Sequence, residues 1–368
     1  MKKAGVLTIH RAQNYGAALQ AFATNKILED IGLDVKFIDY SVSFTIKDNK
    51  FVLAPVSASN IKHNIKSLSQ PIKFFKKKKR YEEFLGKYFN MTEKTYSYKN
   101  YQDIANEDVD FLITGSDQTF ALNLIGDPTE REVYFLPFKS TARKISYASS
   151  MGEKTQLLTE QQKDFMKTHL DDFDVLSVRE GIAAVITEGM IGKRPKKLFD
   201  PTLAISRDDW DCISKPCPVN GKYILFYSVL SDTWVVEYVQ QVSKKTGLPV
   251  IALHNRNRFE ANSGFHYMNE CGPCEFITMI KNAEFVLTSS FHGTAFSIIY
   301  EKPFISFKLG EGNRIGDLLE AAGLEQCGVS IEQKREIRVP KAIDGIQTGQ
   351  FLKTVREVNE GFLKRAIS

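Results

Sequence analysis

Short runs of β-branched and aromatic residues, each ending in small or polar residues, alternate along the chain with stretches in which apolar residues recur every three to four positions. That alternation predicts βαβ units and hence parallel sheets. Residues 3–9 read as a strand and residues 10–16 as a polar turn. A helix then begins at Ala17, where Leu19, Ala23, Ile27 and Ile31 recur at intervals of four and Gly32 occupies the C-terminal cap. Further strands are expected at residues 35–40, 108–114, 144–149 and 175–178, and in a second series at 223–229, 249–254, 285–289 and 303–307. Between the two series, Pro201, Pro216 and Pro218 mark residues 200–221 as a linker. The expected architecture is α/β, with two Rossmann-like domains facing a cleft: residues 1–205, residues 206–345, and a helix at 346–368 that crosses back to the first domain. In such sheets ligands lie beyond the carboxyl ends of the strands, so the polar residues just after each strand are the candidates for chemistry.

One insertion, at about residues 51–90, breaks the rhythm. There Lys62, Lys66, Lys73 and the run Lys76-Lys77-Lys78-Lys79-Arg80 alternate with Ile, Leu and Phe. Two readings are open: a solvated basic helix, or a surface with interleaved Phe74 and Phe75 that approaches anionic lipid or a diphosphate-linked acceptor. The rest of the composition is that of an ordinary globular chain: 368 residues, 43% hydrophobic and 25% charged. Its net charge of +5 is spread too thinly to favour nucleic acid. No apolar run reaches the ~18 residues of a membrane span, and no apolar core precedes a cleavage site near Met1, so a cytoplasmic protein is expected. The five cysteines, an odd and clustered set, are expected to be reduced.

Cys271-Gly272-Pro273-Cys274 has the letters of a redox pair, but Asn269 and Glu270 precede it where an apolar strand should be. A zinc site with Cys212 and Cys217 would have unusual spacing and no local His. The better account is a Gly272-Pro273 turn with Pro273 opening a helix over residues 274–282. A stronger constellation is Thr288-Ser289-Ser290-Phe291-His292-Gly293-Thr294-Ala295, at the end of an apolar strand and before an apolar helix at 295–300. His292 there either points into the cleft, beside free N–H groups that favour an anion, or caps the helix as a buried residue. Arg179, just past another strand, either grips a carboxylate or phosphate with two parallel hydrogen bonds or forms a salt bridge with Glu180 or a neighbour. Gly115-Ser116-Asp117-Gln118 either holds sugar hydroxyls or is a plain turn. Asn14-Tyr15-Gly16 fits close backbone approach to a ligand.

Taken in order, seven segments resemble the polysaccharide pyruvyl transferase family over residues 1 to about 325. They are Thr8-Ile9-His10 with Asn14-Tyr15-Gly16-Ala17-Ala18-Leu19-Gln20-Ala21; Gly115-Ser116-Asp117-Gln118; Ser146-Tyr147-Ala148-Ser149-Ser150-Met151-Gly152; Ser177-Val178-Arg179-Glu180; Asp200-Pro201-Thr202-Leu203; Gly272-Pro273 with Glu275-Phe276; and Ser289-Ser290-Phe291-His292-Gly293. The resemblance implies a fold of the GT-B glycosyltransferase type. It also implies ketal formation from phosphoenolpyruvate onto two hydroxyls of a sugar in a bacterial polysaccharide, such as capsule or exopolysaccharide, or in its precursor. It carries the role of catalytic His onto His292 and of a phosphoenolpyruvate-binding Arg onto Arg179. The substrate-binding set it suggests is His10, Asn14, Tyr15, Gly16, Gln20, Asp117, Gln118 and Ser149 with Glu275, Ser290, Gly293, Lys308 and Arg314. The first domain would serve the acceptor and the second phosphoenolpyruvate. No cofactor or metal is expected. The expected partners are phosphoenolpyruvate and a sugar acceptor such as an undecaprenyl-diphosphate-linked oligosaccharide, with peripheral membrane contact through Lys76 to Arg80 at the inner face. Two departures stand out. Ser290 occupies a place where some members have Arg, making Lys308 and Arg314 the nearest replacement charges, and Gly16-Ala17 stands where some have an acidic residue. A nucleotide-sugar glycosyltransferase of the same architecture is the alternative, and a thiol-disulfide protein or a non-catalytic carbohydrate-binding module are readings from other classes.

Overall fold

The computed structural model describes residues 1–43, 70–123, 127–152, 157–229, 232–254, 263–309 and 314–368. Its first half contains β1 (Lys2–Leu7), α1 (Tyr15–Asp30), β2 (Leu33–Phe37), α2 (Gln70–Tyr88), β3 (Phe111–Thr114), α3 (Pro128–Glu132), β4 (Arg143–Ser146), α4 (Glu160–Asp171), β5 (Ser177–Val178), α5 (Gly181–Ile191) and β6 (Lys196–Lys197). After α6 (Arg207–Asp211) the second half contains β7 (Ile224–Ser228), α7 (Thr233–Thr246), β8 (Val250–His254), β9 (His266–Tyr267), α8 (Pro273–Asn282), β10 (Phe285–Thr288), α9 (Phe291–Ile299), β11 (Phe304–Phe307), α10 (Arg314–Ala322), β12 (Gly328–Val329) and α11 (Gly345–Ala366).

All strand pairs are parallel. The first sheet runs β2-β1-β3-β4, and bridges from Ile145 to Val175 and from Ser149 to Val178 carry it on to β5 and β6. The second runs β12-β11-β10-β7-β8-β9, which is the doubly wound strand order of dinucleotide-binding folds. Helices cover both faces, which is why β3 and β7 are buried along their whole length and read in sequence as continuous apolar runs. The strand order reverses between β1 and β3 in one sheet and between β7 and β10 in the other. These two switch points lie at the carboxyl ends of the strands and supply the residues of the cleft.

The halves meet through a shared apolar core. Tyr15 stacks on Phe276 with ring centroids 4.6 Å apart and donates its hydroxyl to the Cys271 carbonyl at 3.0 Å. Trp210 packs against Phe22 at 5.5 Å and Phe296 at 4.8 Å. The expected linker is therefore not loose chain. Its α6 opens with a capping box in which Ser206 and Asp209 satisfy each other's backbone N–H, and this fixes Trp210 in the joint core. Helix α11 returns to the first half, where the Asn359 amide donates to the Tyr147 hydroxyl and the Phe199 carbonyl, each at 2.9 Å.

The basic run does not form one outward face. Lys73, Lys77 and Arg80 lie along the side of α2 that meets the second half, donating to the carbonyls of Tyr267 (2.6 Å), His254 (3.3 Å) and Glu270 (2.7 Å). Lys77 is fully buried over the Tyr15 ring, and burial, only partly offset by nearby Cys271, pushes its ammonium down to about 7. Lys76 and Lys79 remain exposed, beside Ile72 and Phe75. Lys62 and Lys66 lie outside the described residues. Among the described residues, no helix is long and apolar enough to cross a membrane.

Candidate active site

The two switch points face each other across a cavity of about 160 Å³, lined by Asn14, Asp117 and Gln118 from the first half and by Ser289, Ser290, Phe291, His292, Lys308 and Arg314 from the second. Asn14 ends the loop after β1 and caps α1, accepting from the Ala17 N–H at 3.2 Å. Asp117 sits in the turn after β3 with φ at 61°, a left-handed conformation that Asp tolerates better than most side chains.

Ser290 caps α9 by accepting from the Gly293 N–H, so the helix starts at Phe291 rather than at the expected residue 295. His292 therefore lies in its first turn, where the leading N–H groups have no partner within the helix and suit an anion. Gly293 makes this tight strand-to-helix turn feasible, because a Cβ there would lie 2.2 Å from Thr288 Oγ1. Gly16 packs against the His292 ring from the other half. A Cβ at that position would fall 2.0 Å from Nδ1.

On the other side of the ring, His292 Nε2 lies 3.5 Å from Asp200 Oδ2. Asp200 opens the turn Pro201–Leu203, and its Oδ1 accepts from the Thr202 N–H at 3.0 Å and the Thr202 hydroxyl at 2.7 Å. Its Oδ2 also accepts from Arg179 Nη1. Burial alone would raise the Asp200 carboxyl, but the neighbouring His292 and Arg179 and the hydrogen bonds outweigh it and hold the group well below the usual carboxylate range. Arg179 itself does not reach the main cavity. Its guanidinium lies over the Phe291 ring, 4.9 Å from the centroid, with Nε 3.5 Å from Glu180. It lines a narrower pocket behind Phe291, of about 30 Å³, together with Lys197, Arg314 and Asp317. The ion pair of the second reading of Arg179 is present, and its partner is Asp200 as well as Glu180.

The family model for polysaccharide pyruvyl transferase matches residues 14–309, which include both switch points and the site residues from Asn14 to Lys308. The chain belongs to the polysaccharide pyruvyl transferase family. No curated protein matches it in sequence. Among solved structures, it is similar to the UDP-GlcNAc 2-epimerase from Methanocaldococcus jannaschii, with TM-score 0.51 and 11% identity over 96% of this chain and 99% of that one. It is also similar to the S. aureus MnaA-UDP co-structure, with TM-score 0.51 and 12% identity over 97% of each chain. These likenesses establish the fold, a GT-B arrangement of two Rossmann-like domains.

Several residues of this pyruvyl transferase that were expected at the substrate are instead committed to the scaffold. Tyr15 is held in the joint core by Phe276 and Cys271. His10 Nδ1 donates to the Thr8 carbonyl at 2.9 Å while Nε2 faces Asp39 at 3.8 Å, away from the cavity lining. Gln20 donates to the Thr8 hydroxyl and the Ala17 carbonyl, at 2.9 and 3.0 Å. Ser149 is fully buried with its hydroxyl 3.2 Å from that of Ser146. Glu275 accepts from the Gly272 N–H at 3.0 Å and pairs with Lys215 and Arg80. Apart from His10 Nε2 and Gln20 Oε1, which are buried without a hydrogen-bond partner among the described residues, these groups are engaged within the scaffold, which leaves Asn14, Gly16, Asp117, Gln118, Ser290, His292, Lys308 and Arg314 at the cleft. The sequence reading missed Asp200 as a site residue. Its signal was an Asp-Pro-Thr turn following a strand end, and the cluster of prolines beyond it made the segment look like linker.

Pro273 does open α8 at the Gly272-Pro273 turn, and both flanking thiols are buried. Burial pushes Cys271 up to about 12 and Cys274 up to about 11, the opposite of a redox thiol. Iodoacetamide should therefore modify Cys271 and Cys274 in the native enzyme at least about tenfold more slowly than after denaturation. Mass spectrometry of the alkylated peptides checks this, and equal rates would contradict it. Among the described residues, no three His, Cys, Asp or Glu side chains are grouped to hold a metal.

Proposed function

We propose that this transferase uses phosphoenolpyruvate as donor and joins its pyruvyl carbon to two hydroxyls of a sugar, releasing phosphate and leaving a pyruvate ketal. The observation that carries this reading is His292 in the first turn of α9, in a cavity that also holds Lys308 and Arg314 and that is closed from the other half by Asp117 and Gln118. Addition of an alcohol to the enol carbon C2 requires a proton at C3. His292 supplies that proton, and positive charge develops at C2 as the double-bond electrons move to C3. A sugar hydroxyl oxygen then bonds to C2 and gives its proton back to His292. The C2–O bond to phosphate breaks, the leaving group takes the electron pair, and the second hydroxyl adds to C2 as its proton passes to the departing phosphate.

The departing phosphate is stabilised by the leading N–H groups of α9 and by Lys308 and Arg314, which take over from the Arg that Ser290 replaces. Asp117 and Gln118 hydrogen-bond the acceptor hydroxyls. His292→Ala should lower turnover, measured as phosphoenolpyruvate-dependent phosphate release with acceptor, by roughly 10²-fold or more while leaving the melting temperature close to wild type. Lys308→Ala should raise KM for phosphoenolpyruvate and also lower kcat, since Lys308 meets the phosphate both before and as it departs. Near-normal turnover in His292→Ala would remove the proton-transfer assignment.

A further inference from the structure

We propose that Asp200 is a positioning residue for the reaction, accepting the hydrogen bond of His292 Nε2–H so that Nδ1 is the nitrogen that exchanges a proton with substrate. The inference rests on His292 as the proton-transfer group. The carboxylate is held from two directions. Thr202 fixes Oδ1 through a backbone and a hydroxyl hydrogen bond, and the Arg179 guanidinium fixes Oδ2. Oδ2 faces His292, at 3.5 Å from Nε2, and among the described residues buried Nε2 has no hydrogen-bond partner. A buried ring nitrogen in that state has one acceptor in reach, and catalytic contacts commonly shorten once substrate closes the site.

The arrangement also couples the halves. Asp200 and Arg179 belong to the first domain and His292 to the second, so the orientation of the ring is set only when the domains are seated together. The other charged and titratable groups near Asp200 are Glu180, which pairs with Arg179, the Tyr147 phenol, and Lys197, Arg314 and Asp317 across the narrow pocket. In the related logic of Ser-His-Asp enzymes, a buried carboxylate fixes the imidazole tautomer and stabilises the imidazolium without itself gaining a proton. Here the nitrogen assignment is reversed, because Nδ1 is the side of the ring that meets Gly16 and the turn after β1.

The direct test is the tautomer of His292 in the intact wild-type protein, read from ¹⁵N chemical shifts of ¹⁵N-histidine-labelled enzyme above the titration midpoint of the ring. His292→Gln assigns the signals by their loss. The Nε2–H tautomer is expected, and the Nδ1–H tautomer would overturn the proposal. In kinetics, Asp200→Asn should lower kcat by about 10²-fold or more while KM for phosphoenolpyruvate changes little, and should move the limb of the kcat profile that requires protonated His292 to lower pH. An unchanged kcat and pH profile would equally overturn it. Should Asp200→Asn fail to fold, the wild-type tautomer decides alone. Because that measurement needs no substrate, it stands even if phosphoenolpyruvate proves not to be the donor.

Discussion

Replacing Gly16 with Ala should remove nearly all turnover while each domain stays folded. The added methyl group would fall 2.0 Å from His292 Nδ1 and 2.5 Å from Cγ and Cε1 of the same ring. Real Cβ atoms do not approach that closely, so something must move. Gly16 lies in the first turn of α1, held by the Asn14 cap and by Tyr15 in the joint core. His292 is boxed between Asp200 and its own short helix, and a ring has no flexible end that could swing aside. The strain can relax only by rotating His292 off its station or by separating the halves at the cleft. A displacement of about 1 Å at a reacting group can cost about 10²-fold in rate. Gly16→Ala is therefore expected to lose 10²-fold or more in turnover, with far-ultraviolet circular dichroism like that of wild type. Wild-type turnover in this variant would show that the halves do not meet at Gly16 during the reaction.

Arg179→Met should have the largest effect on stability. The guanidinium is the hydrogen-bonded ion-pair partner of Asp200, and both side chains are almost completely removed from water. Breaking one side of a buried pair strands the other charge, at a cost of about 3–5 kcal/mol. The pH dependence follows from Asp200, whose folded carboxyl titrates below its unfolded value. Its contribution to stability is complete above the ordinary Asp range, near about pH 4, and is lost as the pH falls through the lower folded value. Without Arg179 that depression shrinks, so acid unfolding of the variant should begin at higher pH than in wild type. Urea unfolding across pH measures both effects, and adding Asp200→Asn to Arg179→Met should recover part of the loss. A cost below about 1 kcal/mol would mean that the pair is not the anchor described here. Loss of donor binding in an Arg179 variant is accordingly not a clean sign of donor contact, whereas Lys308, at the cavity, offers one.

The parts of the fold that were legible in sequence are those whose apolar runs are long enough to carry a period. The run Phe285–Thr288 followed by Ser289 and Ser290 reads as a buried strand ending at a polar junction, and it correctly brings His292 to the cleft. Of the two-residue strands, Ser177–Val178 falls at the end of an expected strand, and the other three were not legible. Lys196–Lys197, His266–Tyr267 and Gly328–Val329 have no alternation of their own and become strands only because a neighbouring strand offers them partners. Within the first motif, Asn14 and Gly16 reach the cleft region while Tyr15 and Gln20 do not. Adjacent positions on a helix point in different directions, and the sequence does not say which direction the second domain occupies. Lys73, Lys77 and Arg80 misled for a related reason. Their spacing of four and three marks one helix face, but a cationic face normally belongs to solvent, and this one is spent on carbonyls of the second half. Asp200 shows the same limit at the site itself, since a short turn that opens a proline-containing segment looks like linker until the strand beside it and the Arg179 facing it are in view.

The measurement that tests the central claim most directly is a calorimetric titration of the purified protein with phosphoenolpyruvate, run beside titrations with UDP-GlcNAc and other nucleotide sugars. The account predicts saturable heat with phosphoenolpyruvate, weakened in Lys308→Ala, and none of comparable affinity with the nucleotide sugars. Silence with phosphoenolpyruvate beside clear binding of a nucleotide sugar would contradict it.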